Sequence, residues 1–230
     1  AVEWQTGQFI RFAKNPNWTQ SPLAADEVVI QIFTSQDTMV RDLRSGAIDY
    51  AANVNADQFD QLANEPGIVA VAGTANGFTE LGFNTYGTGT GNVIEGGGPS
   101  TKALQDAAFR DALGYAIDKE LPADRELGGY GEVGTTQVPP FQENWHTPPA
   151  QPRTFDLALA RQKLETAGYV LDGSNRRLDR EGNPITLRLV FPDSDPSYAQ
   201  SAQFIQAWFA ELGIAVTPQQ YDSDTLIDIM

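Results

Sequence analysis

Apolar positions along the chain switch repeatedly between alternating and helical spacing, and each switch marks an element. Residues 8–14 alternate loosely and stop at the turn cluster NPNW, whereas EVVIQIF at 27–33 has the β-branched run of a strand. Met39, Val40 and Leu43 stand at helical spacing over 37–45, with Gly46 as the C-terminal stop. IDYAAN, from residue 48, predicts a short strand. A helix capped by Asn55 or Asp57 then runs through Leu62 to the EPG turn at Glu65, and IVAVA, from residue 68, predicts another strand. Up to residue 80 the chain reads as strands alternating with helices.

FTELGFNT at 78–85 places Phe78, Leu81 and Phe83 on the pattern of a strand that runs into the glycine-rich YGTGTGNVIEGGGPS. The next pattern predicts a helix over 109–120 with Asp106 as N-cap. Phe109, Ala112, Leu113, Ala116 and Ile117 share one face of it, and Arg110, Asp111 and Lys119 turn away. Residues 128–152 are rich in Pro, Gly and aromatics and lack a period, which predicts a long ordered loop of the kind that is functional or mobile. Asp156 caps a helix with Leu157, Ala160, Leu164 and Ala167 on one face, ended by Gly168. LDGSNRRLDREGN reads as a solvent-facing hairpin. A strand at 185–191, a helix through Tyr198, Ala202, Ile205, Phe209 and Leu212 to Gly213, and a strand in IAVTPQQ complete the pattern. This order argues for an α/β domain with helices packed on a sheet.

Composition narrows the class. With 230 residues and 41% apolar, the chain can bury a sizeable core, as one large domain or two smaller ones. Its formal charge of −15, spread without an acidic tail or basic block, repels phosphate backbones and anionic lipid, so nucleic-acid binding is not expected. The absence of Cys excludes disulfides, thiolate metal sites and a cysteine nucleophile, but fits a cytosolic and an exported chain alike. No apolar run reaches the roughly 18 residues of a membrane span. Beginning in strand-like sequence and stopping in DTLIDIM at a helix start, the chain reads as an internal piece of a longer protein, with any signal peptide upstream.

Candidate chemistry is sparse. A Ser-His-Asp arrangement would have to use His146, the single histidine, in NWHTPP, and no G-x-S-x-G elbow accompanies it. Beside Trp145 it reads as a surface or ligand-contacting residue. Abundant carboxylates neither exclude nor support a carboxylate-dependent hydrolase. Asp193 and Asp195 lack calcium-loop spacing and precede a helix, so capping is their expected role. GTGTGN lacks G-K-[ST], and Ile94 occupies the place of the third glycine of G-x-G-x-x-G, so a surface connection is expected there. Phe141, Trp145 and His146 with Glu132, Gln137 and Asn144 suit either a small-molecule or peptide site or the plugging of a core.

GQFIRFAKNPNW, DEVVIQIF with RDLRSGAIDYA, FTELGFNT, ALQDAAFRDALGYAIDKE, FDLALARQKLETAGY and AQFIQAWFAELGIAVTPQQYD occur in this order and spacing, and together cover most of the chain. In this the sequence resembles the bacterial extracellular solute-binding proteins of the oligopeptide and dipeptide class (family 5), the receptors of ABC importers. FRDALGYAIDKE carries the strongest match.

The resemblance implies an α/β fold of the type II periplasmic-binding-protein kind, with mixed sheets, flanking helices and an incomplete two-lobe architecture. Residues 1–77 would be a later part of the first lobe, 78–86 a strand crossing the hinge, and 87–230 the second lobe, truncated at its C-terminus. The insert at 87–98 is longer than the family pattern. Implied with the fold are capture of a peptide or other small solute between closing lobes, docking on a membrane permease, a monomer, and a periplasmic or extracellular location with a lipoprotein anchor in the full-length protein. No catalysis, cofactor or metal is expected. By position, the expected ligand contacts are Phe78, Glu80 and Asn84 near the crossing and Gln137, Phe141 and Trp145 in the long loop, with Asn84 equally suited to satisfying backbone at the crossing.

Overall fold

Three extended runs near the N-terminus pair into an antiparallel sheet in the order β1-β2-β3, formed by β1 (Glu3–Gln5), β2 (Phe9–Ala13) and β3 (Glu27–Gln31). Ile10 stands opposite Trp4 on one side and Ile30 on the other. The computed structural model describes residues 1–21, 24–73, 77–85 and 101–229, so the glycine-rich stretch 87–98 and Tyr86 lie outside the described residues. The chain divides into two compact units, Ala1–Val71 and Ala72–Met230.

After the sheet, the first unit has two helices stitched together by polar side chains. α1 (Gln36–Ser45) ends where Gly46 takes φ 74° and donates its N–H to Leu43, a geometry that favours glycine. α2 (Ala56–Ala63) is capped by Asn55, not Asp57, the Asn55 side chain accepting from the Gln58 N–H. Gln36 donates to the Asn53 carbonyl and accepts from the Asn55 N–H, each at 3.0 Å, and Arg44 pairs with Glu65 at 2.7 Å. Among the described residues of this unit, Val40 and Leu62 are the ones that are buried. The expected strands at 48–53 and 68–72 are irregular instead. A strand exists through its ladder of hydrogen bonds; these runs have no ladder partner among the described residues, and Tyr50 and Val69 stand 80% and 89% exposed.

In the second unit, residues 77–85 are also irregular for the same reason, so the strand predicted at 78–86 does not form over its described part. Helices follow: α3 (Thr101–Gln105), α4 (Ala107–Tyr115) and α5 (Glu120–Arg125). The helix expected over 109–120 thus stops early and restarts. Pro122 inside one continuous helix would lack its N–H and press its ring on the carbonyl of residue 118. Asp118 instead turns its side chain to the N–H groups of Glu120 and Leu121, at 3.1 and 3.2 Å, and opens α5 afresh.

α6 (Leu157–Thr166) is capped by Asp156, and the chain then turns through 171–184 into β4 (Thr186–Pro192). α7 (Pro196–Glu211) crosses over to β5 (Ala215–Tyr221), which runs parallel to β4 with Leu187 opposite Val216, and α8 (Ser223–Ile229) follows. Parallel neighbours require such a crossover. The core gathers Phe109, Leu113 and Ala116 of the α4 region, Ala160 and Leu164 of α6, Ile185, Leu187, Ile214 and Val216 around the sheet, and Phe209 and Leu212 at the end of α7. Burying a side chain such as Leu113 contributes about 2 kcal/mol.

The turn at 171–184 is a hairpin with bridges Leu171 to Arg177 and Leu178 to Pro184, but it is not wholly solvent-facing. Arg177 is fully buried, donating from Nε to the Leu212 carbonyl and from Nη1 to the Tyr169 carbonyl, both at 2.9 Å. Its backbone N–H reaches the Gly213 carbonyl at 2.7 Å. That approach leaves no room at residue 213, where a Cβ would stand 2.6 Å from the Asn175 carbonyl oxygen on a backbone with φ 78°. Gly213→Ala is therefore expected to cost about 3 kcal/mol, strain and collision together. Gly182→Ala, with φ 88° but open space, should cost about 1 kcal/mol. Urea unfolding of both variants beside the parent checks the difference.

Candidate functional site

α4 is fixed at its N-terminal end by its capping residue. Its N-cap Asp106 accepts from the Ala108 N–H at 3.0 Å, and its second oxygen receives the Tyr169 hydroxyl at 2.9 Å together with the Arg180 guanidinium, which also lies over the Tyr169 ring. Burial first, and then the Asp106 carboxylate, push the Tyr169 hydroxyl up to about 12, so it stays protonated and donating. These contacts fix the N-terminus of α4 against the end of α6.

Beyond α5 the long loop is an ordered structure with bonds of its own. At its start the Ser201 hydroxyl donates to both carboxylate oxygens of Glu126, at 2.9 and 2.8 Å. Lys119 donates to the Gly134 carbonyl at 3.2 Å. His146 Nδ1 lies 2.7 Å from the Val138 carbonyl; because a carbonyl only accepts, that nitrogen carries the proton. The Thr136 hydroxyl donates to the same carbonyl at 2.9 Å, and the N–H groups of Trp145 and His146 both reach the Gln142 carbonyl. The histidine thus staples the loop to itself.

Gln137, Phe141 and Trp145 all lie on this knot. Phe141 and Trp145 are 43% and 80% exposed, so they do not plug a core, and Gln137 is exposed as well. Phe78, Glu80 and Asn84 lie on the separate segment 77–85, where Phe78 and Glu80 are exposed and Asn84 is half-buried with an interaction of its own. Phe83, between them, is the residue that packs on the core. Two open surface depressions occur in the first unit, one along β2 and β3 by Phe9 and Ile32, the other between α1 and α2 by Val40 and Gln58. They contain none of the six predicted contacts.

Asp195 caps α7 through the Ser197 N–H, as expected, whereas Asp193 joins the sheet end, its N–H donating to the Tyr221 carbonyl. Among the described residues no group of three or more His, Asp or Glu is arranged to hold a metal, and no helix is long and apolar enough to cross a membrane. Sequence reasoning passed over Arg153, whose Nε and Nη2 both donate to Asp111 at 3.0 and 2.9 Å. The available signal was compositional: residues 126–152 contain no Lys or Arg, and Arg153 ends that stretch.

Over residues 1–229 the chain matches the middle part of the bacterial extracellular solute-binding proteins, family 5, and belongs to that family. It is 22% identical over 229 residues to the oligopeptide-binding protein AppA of Bacillus subtilis, covering 99% of this chain and 39% of that protein. A solved structure of AppA with a nonapeptide superposes with a TM-score of 0.72 over 98% of this chain and 42% of the other, at 21% identity. The heme-binding protein A of Haemophilus influenzae is 23% identical over 221 residues, 96% of this chain and 36% of that protein. NikA from Brucella suis in complex with Fe(III)-EDTA superposes with a TM-score of 0.71 at 21% identity, over 98% of this chain and 43% of the other. The chain thus spans about two-fifths of the length of these relatives. The fold is that of the type II periplasmic binding proteins, of mixed α/β content.

Burial is the first cause raising the pKa of Glu126, opposed by the Ser201 hydroxyl and reinforced by Asp195. A carboxyl raised in the folded state contributes stability that is present at low pH and lost as pH rises through its folded pKa. Glu126→Gln keeps an oxygen for Ser201 and removes the charge. Its melting temperature relative to the parent should therefore rise between pH 4 and pH 7, which scanning calorimetry of both proteins checks.

Proposed function

We propose that the complete protein is an extracytoplasmic receptor that captures a peptide for an ABC-type importer, holding it between two lobes that close on it. Family membership supports solute capture. The observation that carries the reading further is the loop knot itself, where local hydrogen bonds close the chain on itself and Trp145 and Phe141 stand exposed. Exposed aromatic side chains on one ordered loop, together with the amide of Gln137 on the same loop, offer apolar walls and hydrogen bonds to a peptide backbone. Phe78, Glu80 and Asn84 complete the set on the segment 77–85.

Charge favours a peptide over a metal chelate or haem. Residues 126–152 hold the carboxylates of Glu126, Glu132 and Glu143 and no Lys or Arg, so an anionic ligand finds no cation in that stretch, while an amino group meets Glu132 or, on the other segment, Glu80. An oligosaccharide, which also stacks on aromatic faces, is the second reading supported by exposed Trp145. In the intact receptor the closed form docks on a membrane permease as a monomer, outside the cytoplasm and anchored as a lipoprotein.

Isothermal titration of the complete protein against peptide, oligosaccharide and metal-chelate sets should show saturable binding of peptides with a free amino group, and mass spectrometry should recover them uncut. Recovery of cleaved peptides without stable binding would overturn the receptor reading. Trp145→Ala should weaken binding about tenfold or more, equivalent to about 1.4 kcal/mol, with the unfolding midpoint unchanged.

A further inference from the structure

The hydrogen bonds within residues 136–146 are local, so they shape the knot without saying where it stands on the domain. On its C-terminal side the chain is fixed at Arg153. One oxygen of Asp111 on α4 accepts both Nε and Nη2 of Arg153, and the other accepts Lys163 Nζ of α6 at 2.9 Å. Lys163 lies 5.1 Å from the centre of the Tyr115 ring, and the Tyr115 carbonyl receives the Asp156 N–H at 2.8 Å. The hydrogen bond from Lys163, before that from Arg153, holds the Asp111 carboxyl below its ordinary pKa, so the acceptor is a carboxylate.

This arrangement is seated on a gap in the helix surface. At Gly114 a Cβ would stand 2.9 Å from Arg153 Cδ and 3.3 Å from its Nε, so the arginine lies where any other residue would place a methyl group. Glycine within a helix is a poor helix former, and Gly114 is inside α4. The seat therefore runs against local helix stability. The ion pair itself is about half exposed, 53% at Arg153 and 36% at Asp111, and such pairs add little to global stability. What it defines is position.

We propose that Arg153, seated on Gly114 and forked onto Asp111, is a positioning residue that sets where the loop presents Phe141 and Trp145 to a captured solute. The proposal rests on the receptor reading for its consequence, though not for its geometry. Three variants separate it from a merely structural role. Arg153→Ala removes the fork. Arg153→Lys keeps the charge without the two-pronged geometry. Gly114→Ala strengthens the helix while displacing the arginine.

Hydrogen exchange without ligand, read by mass spectrometry on the full chain, is expected to be at least tenfold faster across residues 137–152 in Arg153→Ala and Gly114→Ala and intermediate in Arg153→Lys. The peptides of α6 and α7 should keep the parent rate. Melting temperature should stay near the parent in Arg153→Ala and should not fall in Gly114→Ala. Parent-like loop exchange in Arg153→Ala overturns the clamp, whatever the ligand. Titration of the complete protein with a nonapeptide pool should then show at least fivefold weaker binding in the variants whose loop loosens, and unchanged affinity in a loosened variant overturns the positioning role. Lack of any binding by the parent instead overturns the receptor reading, and the exchange result distinguishes that failure from failure of the clamp.

Discussion

The second unit is organised around a guanidinium taken out of water. Arg177 has no exposed surface, and removing such a cation from solvent costs several kcal/mol unless its donors are met. Two of them are met by backbone at two helix ends, Nε by the Leu212 carbonyl at the C-terminus of α7 and Nη1 by the Tyr169 carbonyl just past α6, while Nη2 is buried with no hydrogen-bond partner among the described residues. Both helices present the negative end of their peptide dipoles there. Glu165 adds a carboxylate at 4.0 Å, while desolvation pulls the arginine's pKa down. One cation thus joins two helix ends and the hairpin that carries it, and the chain leaving that hairpin enters β4 beside the buried Ile185.

From that joint the remaining architecture follows by packing. β4 and β5 need a crossover, α7 supplies it, and the covered face of the pair must then find apolar partners. α4 and α6 supply these through Phe109, Leu113, Ala160 and Leu164. Asp106 then acts at the N-cap of α4 and Asp111 within the helix. The first ties the helix to Tyr169 and Arg180, and the second ties it to Arg153 and Lys163. The helix that carries the strongest family resemblance is therefore a packed part of the core, tied at both carboxylates to residues far along the chain.

Much of this was legible in the sequence, because it depends on local chemistry. Asn55, Asp106, Asp156 and Asp195 each cap the helix that the pattern assigns them, and Gly46, Gly168 and Gly213 take the positive φ that ends one. The strands at 27–31, 186–192 and 215–221 formed where β-branched runs predicted them. The runs at 48–53, 68–72 and 78–85 did not, since a strand needs a partner, and partnership is not encoded in the run itself. The break between α4 and α5 was readable from Asp118 and Pro122, but the apolar period through Ile117 masked it. Residues Gln137, Phe141 and Trp145 were recognisable as a group by composition, and their outward placement was not.

By itself the sequence determined the helix ends, the α/β class and membership of the solute-binding family, because caps, glycine stops and the order of segments are properties of neighbouring residues. Only the tertiary structure decided that Arg177 is interior while the arginine before it is on the surface, and that Arg153 crosses α4 at Gly114. The physical reason is the same in both cases. A guanidinium carries no local signal of where it will lie, and its place is set by acceptors far along the chain, Leu212 for one and Asp111 for the other.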